Sequence, residues 1–235
     1  MYLETERVRN KSYTGAIDSR LQKHSQEYFV LAALRYFYPQ KFDGVVLKDS
    51  PDLQDRTNRI GVEVTIAVSQ KEMKASREFS KLKRMTSSDE RRRIIEKIGA
   101  IGHSVKKTPI GNVLSSSGSS SLSEKQNFQE AVSKKLKKLD SYRKSFNKVG
   151  LAIYFVEIPS SEVEKECIDW LNEICKKETY DFYIVLSHRF FLFYEPGEEL
   201  IELKICSCQR QCLSTIARMT AEKEISLSDI EWQRR

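Results

Sequence analysis

Two acids and a threonine stand out from packing residues in the first third of the chain. They are Asp52 in Ser50-Pro51-Asp52-Leu53, and Glu63 and Thr65 in Ile60-Gly61-Val62-Glu63-Val64-Thr65. The second segment is β-branched and apolar, as a buried strand is. Side chains alternate along a strand, so Glu63 and Thr65 share one face while Val62 and Val64 share the other. A carboxylate taken out of water without a partner costs several kcal/mol, so Glu63 requires a solvent-facing side, a cationic partner or a metal. Asp52 enters by a short turn and is placed to meet Glu63 on the neighbouring strand. Two carboxylates with a backbone carbonyl form a hard oxygen site suited to Mg²⁺ or Mn²⁺. The flanking Asp49 and Asp55 read instead as turn residues, because aspartate bonds readily to nearby backbone.

Pro51-Asp52, a step of 11 residues, then Glu63-x-Thr65 on an apolar strand resembles the PD-(D/E)XK nuclease superfamily. Glu27, in His24-Ser25-Gln26-Glu27, matches a further glutamate that many members carry on the helix before the first core strand. The likeness covers roughly residues 20–75, and its phrasing is similar to a recurrent bacterial and phage branch of the superfamily. It implies a restriction-endonuclease-like core, a mixed sheet flanked by helices. It further implies that Asp52 and Glu63 hold divalent metal for phosphodiester hydrolysis, with Glu27 and Thr65 as further catalytic positions.

The departure lies at Thr65, where the superfamily has lysine. That lysine is taken to orient the attacking water and offset developing negative charge, which a neutral hydroxyl cannot do electrostatically. A lysine from elsewhere could replace it, Lys48, Lys71 and Lys74 being nearest in sequence, or a second metal ion could. A degenerate site that binds nucleic acid without cutting it is the other outcome.

The elements that must position these residues follow from periodicity. Leu21 to Phe37 is apolar nearly all round after Glu27 and stops before Pro39, as a buried helix should. Phe42–Leu47 and Ile60–Val68 read as strands joined by a turn-rich connection. Residues 71–98 form one or two amphipathic helices broken near Thr86–Ser88. Residues 99–123, with Gly, Pro and the run Ser115–Ser121, read as a flexible loop. The three-to-four spacing of Phe128, Val132, Leu136, Leu139, Tyr142 and Phe146 predicts one long helix carrying Lys134, Lys135, Lys137 and Lys138 on its outer face. A strand over 151–158, a helix from Ser160 or Ser161 through Lys176, three strands over 181–205 and a helical tail over 212–230 follow. The order predicts an α/β or α+β class: a mixed central sheet flanked by helices, in a single domain over 1–235 with a basic helical insertion.

Charge supports the same geography. Of the net +7, residues 71–150 hold +12, the first 70 residues +1 and the last 85 residues −6. The runs Arg91-Arg92-Arg93 and Lys134, Lys135, Lys137, Lys138 are therefore candidate contacts to nucleic-acid phosphates, DNA above all. Lysine-rich helix faces are also commonly just solvated surface, and a further alternative is a protein-interaction domain whose basic region meets an acidic partner or the chain's own acidic last third. Oligomeric state stays open, a dimer among the options.

The rest of the inventory excludes more than it assigns. The charged amino terminus lacks the apolar run of a secretory signal, and no stretch nears the ~18–20 residues that span a bilayer, so a cytoplasmic location without membrane is expected. Five cysteines, an odd number, argue for reduced thiols. Cys206-x-Cys208-x₃-Cys212 with His188 departs from paired zinc-ligand spacing. Neither the phosphate-binding P-loop nor the dinucleotide fingerprint occurs.

Overall fold

The computed structural model describes Val8, Ile17 and residues 19–82, 85–108, 111–116, 121–155, 161–174, 179–187 and 189–230. Nine strands and eight α-helices occur among them: α1 Ser19–Phe37, α2 Pro39–Phe42, β1 Val46–Leu47, β2 Leu53–Asp55, β3 Ile60–Ala67, α3 Gln70–Lys81, α4 Ser88–Ala100, β4 His103–Thr108, β5 Gly111–Ser116, α5 Ser121–Leu136, α6 Leu139–Arg143, β6 Lys148–Phe155, α7 Ser161–Ile174, β7 Phe182–Leu186, β8 Phe190–Tyr194, β9 Ile201–Lys204 and α8 Ser207–Ala221. A 3₁₀ turn, Leu227–Asp229, follows α8.

Seven strands form one mixed sheet in the order β1-β2-β3-β6-β7-β8-β9. Its centre, β3-β6-β7, is parallel, and antiparallel strands flank it on both sides. Parallel strands need covering on both faces, and here they have it. Ile60, Val62 and Val64 of β3, Ala152 and Tyr154 of β6, and Phe182, Ile184 and Leu186 of β7 point into one core with α1 and α8. Leu151, Ile153, Tyr183 and Val185 point the opposite way, into a second core with Phe128 and Val132 of α5, Tyr142 of α6 and Val163 of α7. This is the expected mixed α/β layering. No helix among the described residues is long and apolar enough to cross a membrane.

Four local expectations differ here. The helical tail expected over 212–230 is α8, Ser207–Ala221, followed by turns and the 3₁₀ turn. The expected strand over 42–47 begins only at Val46, because Pro39 at the first position of α2 starts a helical turn through Phe42. Leu53–Asp55, read as connection, is a buried strand paired with β3. The expected flexible loop over 99–123 holds the end of α4, the β4–β5 hairpin and the start of α5. Val105 and Leu114 pack the hairpin onto Leu82, Ile94, Ile98 and Phe79, a small third core, and so provide the burial that composition alone does not reveal. Residues 109–110 and 117–120 lie outside the described residues, as do 156–160, 175–178 and His188.

Candidate active site

Asp52 and Glu63 meet because of sheet register. β2 and β3 pair antiparallel with Leu53 opposite Val62, and one further step sets Asp52 opposite Glu63. Just past the ladder the Val64 N–H would lack a strand acceptor, and Asp52 Oδ2 accepts from it at 2.9 Å. Asp55 anchors the β2–β3 turn, accepting from Asn58 N and Nδ2 at 2.9 and 2.7 Å, as expected of a turn residue. Gln54 Nε2 donates to the Asp49 and Pro51 carbonyls at 2.9 and 3.0 Å and braces the segment that carries Asp52.

Glu63 is only 2% exposed, on the sheet face covered by α5 and α6. Its partners come from those helices: Lys135 Nζ in close contact with Oε1, Lys138 Nζ at 3.3 Å from Oε1, and the Tyr142 hydroxyl donating to Oε2 at 2.7 Å. Burial alone would raise the Glu63 carboxyl, but the hydrogen bond and charge of Lys135, with Tyr142 and Lys138, outweigh it and hold the group below the usual carboxylate range. Burial and then the Glu63 carboxylate push the Tyr142 hydroxyl far up, so it stays a donor. Asp52 moves the opposite way from Glu63. Burial first, then the field of Glu63, raises it against the Val64 N–H and Lys135.

The four lysines were expected along the outer face of one long helix. The structure corrects that. α5 ends at Leu136 and α6 starts at Leu139, so Lys135 turns inward to Glu63 and the half-exposed Lys138 reaches it, while Lys134 and Lys137 point to solvent. The Tyr180 hydroxyl donates at 2.7 Å to the Lys135 carbonyl, satisfying an acceptor that the end of α5 leaves open. Lys48, Lys71 and Lys74, nearest in sequence, are exposed, and the cation beside Glu63 comes from 72 residues away. A signal for it exists in the sequence: Lys135, Lys138 and Tyr142 recur at spacings of three and four, a polar stripe on one helical face.

Glu27 is buried on α1, with Lys23 Nζ 3.0 Å from Oε1 and His24 Nδ1 3.0 Å from Oε2. Lys23 also reaches within 3.6 Å of Asp52 Oδ1, and the hydrogen bond to Glu27 chiefly raises its pKa. A cleft of about 780 Å³ opens here at the carboxyl end of β3. Glu27, Thr65, Lys134 and Lys135 line it, with residues of α3 and the hairpin opposite. In open α/β sheets ligands commonly sit at the carboxyl ends of parallel strands. Arg91, Arg92 and Arg93 are not among its lining residues. Arg91 Nη1 lies 3.4 Å from the Leu82 and Met85 carbonyls, and Arg92 pairs with Asp89 and Glu96 on the surface of α4.

The donor set at Asp52 and Glu63 fits a hard divalent cation. Mg²⁺ is commonly held by one or two carboxylates, with water and substrate phosphate completing its shell. The Glu63 carboxylate raises the cost of ionising Asp52, which a cation between them would relieve. Among the described residues no group of three or more His, Cys, Asp or Glu side chains is arranged to hold an ion. Cys206 caps α8, its Sγ accepting from Gln209 N at 3.4 Å, and carries no zinc cluster among the described residues. No protein-family model, curated protein or solved structure matches the chain.

Proposed function

We propose that this protein is a divalent-metal-dependent nuclease of the PD-(D/E)XK type that hydrolyses phosphodiester bonds in DNA. The observation that carries the reading is Lys135: a cation reaches Glu63, on the face shared with Thr65, where the motif lysine is missing. Asp52 and Glu63 would hold Mg²⁺ or Mn²⁺, which when bound polarises the scissile phosphate and lowers the pKa of a coordinated water. The chain's own groups do the rest. The Val64 N–H and Tyr142 hydroxyl fix the two carboxylates, and the Lys135 ammonium stands ready to offset negative charge on a phosphate drawn to the pair. Glu27, held by Lys23 and His24, borders the same cleft and orients water there.

A second reading is a nuclease-like module that binds DNA without cutting it. It is favoured by the engagement of both Glu63 oxygens by Lys135, Lys138 and Tyr142, with which an ion would compete. Incubation of plasmid and linear DNA with Mg²⁺ or Mn²⁺ separates the two. Wild type is expected to cleave, Asp52→Asn and Glu63→Gln to lose cleavage, and Lys135→Met to lose about 10²-fold or more, the usual cost of removing a charge-stabilising donor. Equal cleavage by all four proteins would overturn the assignment to this site. Salt-sensitive binding with no cleavage would favour the second reading.

A further inference from the structure

We infer that the cleft beside Asp52 and Glu63 accepts a single DNA strand, its bases lodged against Met73, His103 and Leu114 and one or two of its phosphates near Arg77 and Lys135. The placement of the scissile phosphate rests on the nuclease reading above.

Size comes first. The cleft's volume of about 780 Å³ falls within the roughly 300–1,000 Å³ of small-molecule pockets, room for a nucleotide or two. α1, α5, α3 and the hairpin all contribute to its lining. Gln22 Nε2 donates to Ser76 Oγ at 2.6 Å and ties α1 to α3 across one end.

The lining chemistry also suits bases. Met73 is 39% exposed, an apolar side chain turned into the cleft while the buried side of its helix carries Ala75 and Ser80. Both ring nitrogens of His103 are shielded from solvent and have no hydrogen-bond partner among the described residues. A buried polar atom left unpaired is costly, and the edge of one base would supply the missing partner while a neighbouring base stacks on the ring face. Bases in a duplex have both needs met already; those of a single strand do not.

Cation count points the same way. Proteins that grip duplex DNA by its backbone neutralise about 6–10 phosphates. Here the lining cations are Lys23, Arg77, Lys134 and Lys135, and Glu27, Glu130 and Glu63 already hold three of them. That leaves Arg77 for one phosphate, and a second only where a phosphate draws Lys135 away from Glu63.

The test is fluorescence anisotropy in EDTA with an end-labelled single strand and a hairpin duplex of the same sequence, using wild type, Met73→Asp and His103→Ala. The strand is expected to bind roughly tenfold more tightly than the duplex, and either variant to weaken strand binding several-fold without changing duplex binding. The slope of log K against log salt for the strand is expected at about −0.7 to −1.4. Duplex binding as tight as strand binding, or strand binding unchanged in both variants, would overturn the inference. A separate Mg²⁺ cleavage assay keeps the two proposals apart. Strand preference without cleavage supports the strand site and removes the catalytic reading alone; cleavage without strand preference removes the strand site alone.

Discussion

Replacing Lys135 by methionine isolates the contact on which the site turns. The substitution keeps an unbranched apolar stem out to the ε position and removes the ammonium that holds Glu63. Breaking a buried ion pair by removing one partner costs about 3–5 kcal/mol. Lys135 is itself 22% exposed, and Glu63 keeps Tyr142 at 2.7 Å and Lys138 at 3.3 Å, so a smaller loss follows, about 1–3 kcal/mol. For a chain of this size each kcal/mol moves the melting temperature by about 2–4 °C, giving a drop of about 2–12 °C near neutral pH. The pH dependence is the sharper signature. In the wild type the Glu63 pKa is depressed, so its contribution is complete above the unfolded value near 4.3 and is lost as pH falls through the lower folded value. In Lys135→Met burial prevails and lifts that pKa, and the protein can limit its loss by protonating Glu63 at about 1.4 kcal/mol per pH unit. The deficit should therefore grow from mildly acidic to neutral pH and shrink again on acidification. Thermal or urea unfolding followed by circular dichroism across pH 5–8 reads it. A variant as stable as wild type at neutral pH, or a deficit that ignores pH, would refute the electrostatic role given to Lys135.

Mg²⁺ should stabilise Lys135→Met more than wild type, since the ion no longer competes with an ammonium; about 2.7 kcal/mol is expected at a hundredfold excess over its dissociation constant, and equal shifts in the two proteins would contradict a site at Asp52 and Glu63. Tyr142→Phe, which removes the donor to Glu63 Oε2, is expected to cost about 1–3 kcal/mol in urea unfolding and to raise the Glu63 pKa measured by NMR; no change in either would mean the hydroxyl is not holding the carboxylate. Gly150→Ala would put a Cβ 2.0 Å from the Phe182 ring, so a loss of about 1–3 kcal/mol or more is expected, and an unchanged denaturation midpoint would show that the ring can move aside. Phe128→Ala should cost about 3–5 kcal/mol, because that fully buried ring stacks on Phe155 at 5.5 Å and joins α5 to β6; a loss under 1 kcal/mol would mean α5 is not anchored there.

Much of this architecture is written locally. The apolar run before Pro39 is α1, the break near Thr86–Ser88 separates α3 from α4, and the short β-branched and aromatic stretches over 60–68 and 182–204 are strands of the sheet. A period of 2 or of about 3.6 residues is a property of neighbours in the chain, so reading it needs no knowledge of the fold. For the same reason the placement of Glu63 on a strand face opposite Val62 and Val64 follows from the sequence by itself, as does the demand that a buried carboxylate find a partner.

Which partner it finds is a different kind of fact. Lys135 and Tyr142 lie 72 and 79 residues from Glu63, and only the stacking of α5 and α6 on the sheet brings them within reach. The β4–β5 hairpin shows the same dependence: its few apolar residues order it only because α3 and α4 offer Leu82, Ile94 and Ile98 to pack against. Sequence alone thus determined the alternating strands, the position of the two acids and the requirement for a compensating charge. Tertiary structure decided that the charge is Lys135, that the basic run at Arg91–Arg93 stays off the cleft, and that a hairpin lines it. Coulombic and packing energies depend on distance in space, and separations of 70 residues leave no local pattern from which that distance can be read.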